Sequence, residues 1–467
     1  MLCRENMLTP DRVAARGVQA GWGGNVMHAY YEDLIWFVRQ RWTADDANLG
    51  NNTPITATPL PAPPLLEDLF STCYQASMLR EEERPVQVRL VLADPELFPA
   101  ADVPPLGLHR QMFAQPRPCD EMELRKLSPA VDFSRSLIGV TLNDDREWEI
   151  WGIVHSGTRW LQAYRGGRKV PPIFPNVPVI LVTGPGRLAV LKGKETLATL
   201  VDGRIITPDI NVFEARWVRE YFAELRTEML AHLASSNGGS QKWDTILDPN
   251  LIGIIGKHQA MRIISTMRES RQGGTLLYLP HHRLEEFTAK NPYITIKYQF
   301  REDATRRRLV KLVLQTLTKL TETYNHETDL GKKLGWQEYV ASDSAVLALL
   351  EEAVFEAAHQ VADFAAVDGA VVLTNRNHML GFGGMIKGDF DQVNIVARAL
   401  DAEGDQRLEE PTENVGTRHR SVYYLCHQIP EALGIVLSQD GNVRFIKQRN
   451  GRVTYWEQAI SFALKIS

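Results

Sequence analysis

The stretch SAVLALLEEAVFEAAHQVADF (344–364) runs almost directly into the apolar VDGAVVLT (367–374). The first is Ala-rich and free of Gly and Pro, which suits a long helix; the second is a β-branched run, which suits a buried strand. A helix that feeds a strand across so short a connection excludes an all-helical or an all-β domain. The order recurs around it. HQAMRIISTMRESRQ (258–272), with Met261, Ile264 and Met267 or Arg268 on one face, precedes GGTLLYLP (273–280), and a second helical run, TRRRLVKLVLQTLTKLTETY (305–324), follows the alternating YITIKYQF (293–300). The pattern predicts an α/β (α+β) fold for this half, a mixed sheet flanked by helices.

The upstream half reads differently. VQVRLVLAD (86–94), EWEIWGIVHSG (147–157) and PVILVTGPGRLAVL (178–191) are β-branched or alternating runs between Gly, Pro, Asn and Asp turn signals, so a strand-rich N-terminal domain is expected. GPGR (184–187) lacks the GK[ST] ending of a phosphate loop and reads as a hairpin turn. Residues 27–43 have helical spacing, and NNTPITATPLPAPPL (51–65), with five prolines, reads as a linker or edge segment. NVFEARWVREYFAELRTEMLAHLA (211–234) carries Phe213, Trp217, Tyr221, Leu225 and Met229 four residues apart, the stripe of one long helix with a cap signal at Asp209 or Asn211. That helix either packs on its own domain or transmits a state between domains or protomers. SSNGGSQ (235–241) is a flexible joint. The resulting division is 1–65 for an N-terminal helix and Pro-rich linker, 66–234 for a presumed sensor domain, 235–242 for a linker and 243–467 for the domain that carries the chemistry.

At 467 residues the chain holds two to three domains, and 44% apolar residues is ordinary for a globular protein. A net charge of -5 gives no basic footprint, so nucleic acid is not an expected partner. The first residues lack a continuous apolar segment and no run approaches a spanning length, so neither a signal nor membrane insertion is expected. Cys3, Cys73, Cys119 and Cys426 are scattered, without CxxC pairs, which fits a reduced, cytoplasmic location.

Two clusters carry candidate chemistry. Asp368, Gly369 and Ala370 open a strand that is followed by the turn TNRNH and a return strand, MLGFGGMI (379–386). Thr412 and Glu413 precede Gly416, Thr417, Arg418, His419 and Arg420, which open the helical SVYYLCHQIP (421–430). Gly416 permits close backbone approach, and the free N–H groups of a helix start favour anions. Arg418 and Arg420 offer charged forks that match phosphate oxygens. His419 is a group of adjustable charge near neutral pH. Asp368 is the hard oxygen ligand that Mg²⁺ or Mn²⁺ prefers and a group able to orient an attacking hydroxyl. Taken alone, a DGA triplet is usually a turn and an RHR run a solvated cap.

Together, DGAVVL, then TEN-V-GTRHRS, then ALGIVLSQDGNVRFIKQRNG (432–451) resemble the diadenylate cyclase family in order and residue type, with its DGA and GTRHR motifs intact. The resemblance covers about 250–457. It implies that two protomers, a homodimer or higher homo-oligomer, face each other with one ATP apiece and form cyclic di-AMP, a second messenger, with a divalent metal. Asp368 would ligate the metal and prepare the 3′-hydroxyl, Gly369 and Ala370 would line the adenosine, and Gly416, Thr417, Arg418, His419 and Arg420 would hold the triphosphate. His419 would also assist the leaving pyrophosphate, and Glu413 would be a metal or supporting residue. The chain departs from the pattern in three places, the first being the helix at 304–324, which is inserted between the first strand and the DGA strand. KGDFDQVNIVARALDAEGDQRLEEP (387–411) lengthens the spacing between the motifs and is expected to be a loop or short helix. Gln439, followed by Asp440, stands where the family often has Glu after Ser438. The alternative is a non-catalytic sensor of ATP or a cyclic dinucleotide on the same fold; a DNA-scanning relative is disfavoured by the acidic balance.

Overall fold

The computed structural model describes residues 28–44, 59–99, 108–156, 175–207, 210–236, 246–269, 273–324, 333–438 and 442–458, apart from Ser134, Lys194 and Asp202. The described residues divide into two compact units, one over 28–207 and the other over 210–458. Cys3, Asp209, Gln439 and Asp440 lie outside the described residues, as does most of SSNGGSQ.

In the first unit, helices α1 (Tyr31–Ala44) and α2 (Pro63–Met78) precede an eight-stranded sheet. Its strands in chain order are β1 (Val88–Leu92), β2 (His109–Pro118), β3 (Ser136–Leu142), β4 (Trp148–His155), β5 (Pro178–Gly184), β6 (Arg187–Lys192), β7 (Glu195–Val201) and β8 (Arg204–Ile206); in space they run β8-β7-β6-β5-β1-β3-β4-β2. The Pro-rich segment expected as a linker to residue 65 already becomes helix at Pro63, because proline at the first helical position needs no donor and has the right φ. GPGR forms the β5–β6 hairpin, with Gly186 at φ +66°. Val88, Leu90 and Ile138 pack one sheet face on Leu66, Leu69, Phe70 and Leu34 of the two helices.

The second unit is a nine-stranded mixed sheet between helical layers. Helices α4 (Arg216–Tyr221), α5 (Ala223–Ser236), α6 (Pro249–Glu269), α7 (Arg308–Tyr324) and α8 (Ala345–Ala365) follow the short helix α3 (Glu121–Leu127) of the first unit, and α9 (Thr417–Gln428) lies late in the chain. The strands are β9 (Gly274–Leu279), β10 (Ile294–Gln299), β11 (Ala370–Thr374), β12 (Met379–Ile386), β13 (Ile395–Ala399), β14 (Arg407–Pro411), β15 (Leu433–Leu437), β16 (Val443–Arg449) and β17 (Arg452–Gln458), in the order β10-β12-β11-β9-β15-β16-β17-β13-β14. β9 and β11 are parallel, as expected for strands joined through helices, whereas β15, β16 and β17 form an antiparallel meander. Ile263, Ile264 and Met267 of α6 and Ala358 and Val361 of α8 cover one face through Leu276, Val371 and Ile435. Val422, Leu425 and Cys426 of α9 cover the other through Leu277, Val372 and Val436.

Three expectations change here. The 211–234 stripe is a 3-10 turn (Val212–Glu214) and two helices, separated at Ala215, which is extended, and Phe222 (φ -101°, ψ 17°). The breaks let the stripe serve two clusters: Trp217 stacks on Trp456 at 4.7 Å, while Leu225, Met229 and Leu233 join α6 and α7. The segment belongs to the second unit, so the division falls before it and not at the SSNGGSQ joint. The 387–411 stretch is not a loop; after a 3-10 turn it supplies β13 and β14, which extend the sheet. Among the described residues no helix is long and apolar enough to cross a membrane.

Candidate functional site

Helix α8, started by the Ser344 side chain accepting from the Leu347 N–H, ends at Ala365, and Asp368 and Gly369 form the turn into β11. Gly369 has φ +110°, and a Cβ there would stand 2.7 Å from the backbone carbon of Gly383 on β12. Only glycine fits that turn. Ala370 is buried opposite Gly384, and Asp368 is exposed at the end of the strand.

Strand register brings the second motif to the same end of the sheet. Leu276 of β9 is level with Val371 on one side and with Ile435 of β15 on the other. One step outward the Thr275–Val436 pair is level with Ala370, and one further the Gly274–Leu437 pair is level with Gly369. Two strand spacings, roughly 10 Å, separate the Asp368 turn from Leu437. There Arg418 Nη1 donates to the Leu437 carbonyl at 3.5 Å, so α9 begins where β15 ends. Ala370 and α9 share a sheet face, since Ala370, Val422, Tyr423 and Val436 lie in one buried cluster.

The start of α9 is open. Gly416 sits at φ -60° and ψ 154°, which any residue adopts, and a Cβ there would meet nothing within 4 Å. The fold therefore does not demand this glycine; what it leaves is free space in front of a helix start that no N-cap side chain satisfies. Thr417 and Arg418 are exposed there, and Arg420 is ion-paired with Asp391.

His419 departs from the expected adjustable charge. Burial and the guanidinium groups of Arg444 and Arg418 lower its pKa to about 4, against a smaller opposing effect of Glu457. At neutral pH the imidazole is uncharged. Arg444 was not singled out by sequence, although the β-alternation of VRFIKQR puts it with Ile446 on the α9 face. Its Nη1 donates to the Tyr423 hydroxyl at 3.3 Å and its Nη2 to Glu457 at 2.9 Å. Thr275, buried on the strand between Asp368 and α9, was also missed.

Glu413 is not brought to Asp368 by this register. It follows Pro411, which pairs with Ile395 at the end of β13 and β14 remote from Leu437. Among the described residues no group of three or more His, Cys, Asp or Glu side chains is placed to hold a metal ion. Asp368 is thus the one expected metal ligand at the Arg418 end. A single carboxylate still suits Mg²⁺ or Mn²⁺ where substrate phosphates and water complete the shell.

A second polar cluster lies at the other end of β9 and β11. His281 and His378 stand ring to ring at 4.7 Å, and Arg376 reaches Glu224 and Glu228 of α5 at 3.3 Å each. Burial, then His281 and Arg307, lower the pKa of His378 to about 4.

Residues 55–155 match the model of a family described as a probable sensor domain, DACNV. No curated protein and no solved structure matches the chain. The strand-rich N-terminal region of this chain is thus similar to a probable sensor domain.

Proposed function

We propose that the C-terminal unit is a diadenylate cyclase that condenses two ATP molecules into cyclic di-AMP, under the influence of the N-terminal sensor region. The observation that carries this reading is the register that sets the Asp368 turn and the Arg418–Arg420 helix start at one end of the sheet, on one face. The matched sensor model, which describes the N-terminal region of such cyclases, adds support from an independent part of the chain.

On this reading the open first turn of α9 receives the triphosphate through backbone N–H groups, and Arg418 adds a charged fork. Arg420 joins it by exchanging Asp391 for a phosphate oxygen. Gly369 and Ala370 line the nucleoside at the turn into β11. Asp368 orients the ribose 3′-hydroxyl, whose oxygen bonds to the α-phosphorus of the ATP held by a second protomer as its proton leaves to water and the bond to pyrophosphate breaks. A divalent ion on Asp368 would neutralise phosphate charge. Each protomer supplies one nucleotide, so two protomers meet face to face. His419, uncharged before ATP arrives, offers a neutral hydrogen bond.

The test is incubation of the full chain with ATP and Mg²⁺ or Mn²⁺, with nucleotide chromatography. Cyclic di-AMP and pyrophosphate are expected. ATP that binds but stays unconverted at high protein concentration favours the second reading, a nucleotide sensor, which the engagement of Arg420 by Asp391 supports.

A further inference from the structure

We propose that Arg444 is a positioning residue of this site: its guanidinium, held by three side chains beneath the first turn of α9, governs how His419 meets a bound anion. What that anion is rests on the nucleotide reading above; the coupling of Arg444 to His419 does not.

The argument begins with the sheet. Ala370, Thr275, Val436, Arg444 and Glu457 form one row across β11, β9, β15, β16 and β17, and all lie on the face that α9 covers. Arg444 therefore continues the floor that starts at the Asp368 turn. Tyr423 of α9 holds it from above, and Glu457 and the Tyr455 ring, both on β17, hold it from the side, with the guanidinium carbon 4.4 Å from the ring centroid. Glu457 also accepts from Arg398 at 3.2 Å, which fixes the carboxylate itself. So restrained a guanidinium cannot swing away when a neighbouring charge changes.

His419 lies one helical turn before Tyr423, their rings 6.4 Å apart, so it points to the sheet while Arg418 and Arg420 flank it. The charged groups facing it are Arg418 on its own helix, Arg444 on β16 and Glu457 on β17, together with the phenols of Tyr423 and Tyr455. Burial and Arg444 are the two largest causes of its lowered pKa of about 4. The consequence is a site that presents one neutral imidazole between two cations. A bound polyanion opposes Arg444, so His419 takes up a proton as the anion seats. Arg444, which keeps its own charge throughout, thus helps hold His419 neutral until a bound anion offsets it and His419 takes up a proton from water.

The test is a pH titration of the ¹³Cε1 histidine signals of the full chain, which has 12 histidines, the His419 signal being identified by its loss in His419→Gln. Arg444→Met keeps the aliphatic stem and should raise the His419 midpoint by about one pH unit, while Arg444→Lys keeps the charge and should leave it low. A midpoint unmoved in Arg444→Met, or raised as much in Arg444→Lys, overturns the proposal. Should Arg444→Met not fold, Glu457→Gln removes the opposing negative charge and should move the midpoint further down; an upward move overturns the proposal as well. Saturating ATP should raise the midpoint in the unaltered protein. An ATP arm without effect, beside an intact Arg444 effect, defeats the nucleotide reading and leaves the coupling standing.

Discussion

At the residue scale, Asp368 and Gly369 are neighbours with different duties, and substitution separates them. Asp368 is exposed and makes no contact the fold depends on, so Asp368→Asn should leave unfolding unchanged while product formation falls by about a hundredfold or more. Gly369→Ala forces an alanine into φ +110° against the Gly383 backbone and should cost roughly 2–4 kcal/mol of stability. Chemical denaturation and product chromatography on both variants check the pair, and an active Asp368→Asn enzyme excludes the role given to that carboxylate. His378, 8% exposed, makes a separate prediction about pH. Its folded pKa of about 4 lies below the ordinary value of 6.5, so the unfolded chain binds the extra proton between those limits. Stability should be full above about pH 6.5 and fall as pH drops toward 4, by up to about 3 kcal/mol from this residue. The difference between the denaturation midpoints of the C-terminal unit at pH 7 and pH 5 should shrink in His378→Gln, with His419, whose pKa is lowered to about 4 as well, supplying part of the remainder; an unchanged difference removes His378 as a source.

At the element scale, the broken 212–236 segment shows where stability is concentrated. Trp217 is buried against Trp456 and donates its Nε1 proton to the Ala402 carbonyl at 3.0 Å. Trp217→Ala should therefore destabilise the C-terminal unit by about 3–5 kcal/mol, read from its denaturation midpoint, whereas a loss below about 1 kcal/mol would show that the segment packs loosely. The same segment shows what the sequence could and could not reveal. Its apolar stripe was legible because it follows from the 3.6-residue repeat, but the breaks at Ala215 and Phe222 carry no Gly or Pro; they arise because two clusters compete for one stripe. In 387–411, Gly, Asp and Glu hide a β-hairpin whose partner β17 lies far along the chain. At the site, DGA and the GTRHR helix start were legible as local motifs, and their meeting follows from strand pairing through β9. The lowered pKa of His419 was not legible, because it depends first on burial and then on Arg444, which is 25 residues further on and arrives only when β16 joins the sheet.

At the scale of the whole molecule, the division before Asp209 fixes which fragment can test regulation. A chain starting at 243 would lack Trp217, Leu225, Met229 and Leu233 and would expose the surfaces of α6, α7 and β17 that they cover; it should aggregate. A fragment of 209–467 keeps both clusters intact and is the proper counterpart of the full chain. The proposed reaction needs two nucleotides that attack each other, and on that proposal each protomer would hold one, so specific activity should rise with enzyme concentration for both proteins. The sensor region can act only through a difference in free energy between associated and separate, or active and inactive, arrangements. Removing it should therefore shift the concentration at which activity is half-maximal and leave the plateau of fully associated enzyme similar. The measurement is product formation against enzyme concentration for 209–467 and for the full chain, with association followed by sedimentation. Activity independent of concentration in a strict monomer would sink the two-protomer requirement, and superimposable curves for the two proteins would leave the N-terminal region without influence on the proposed activity.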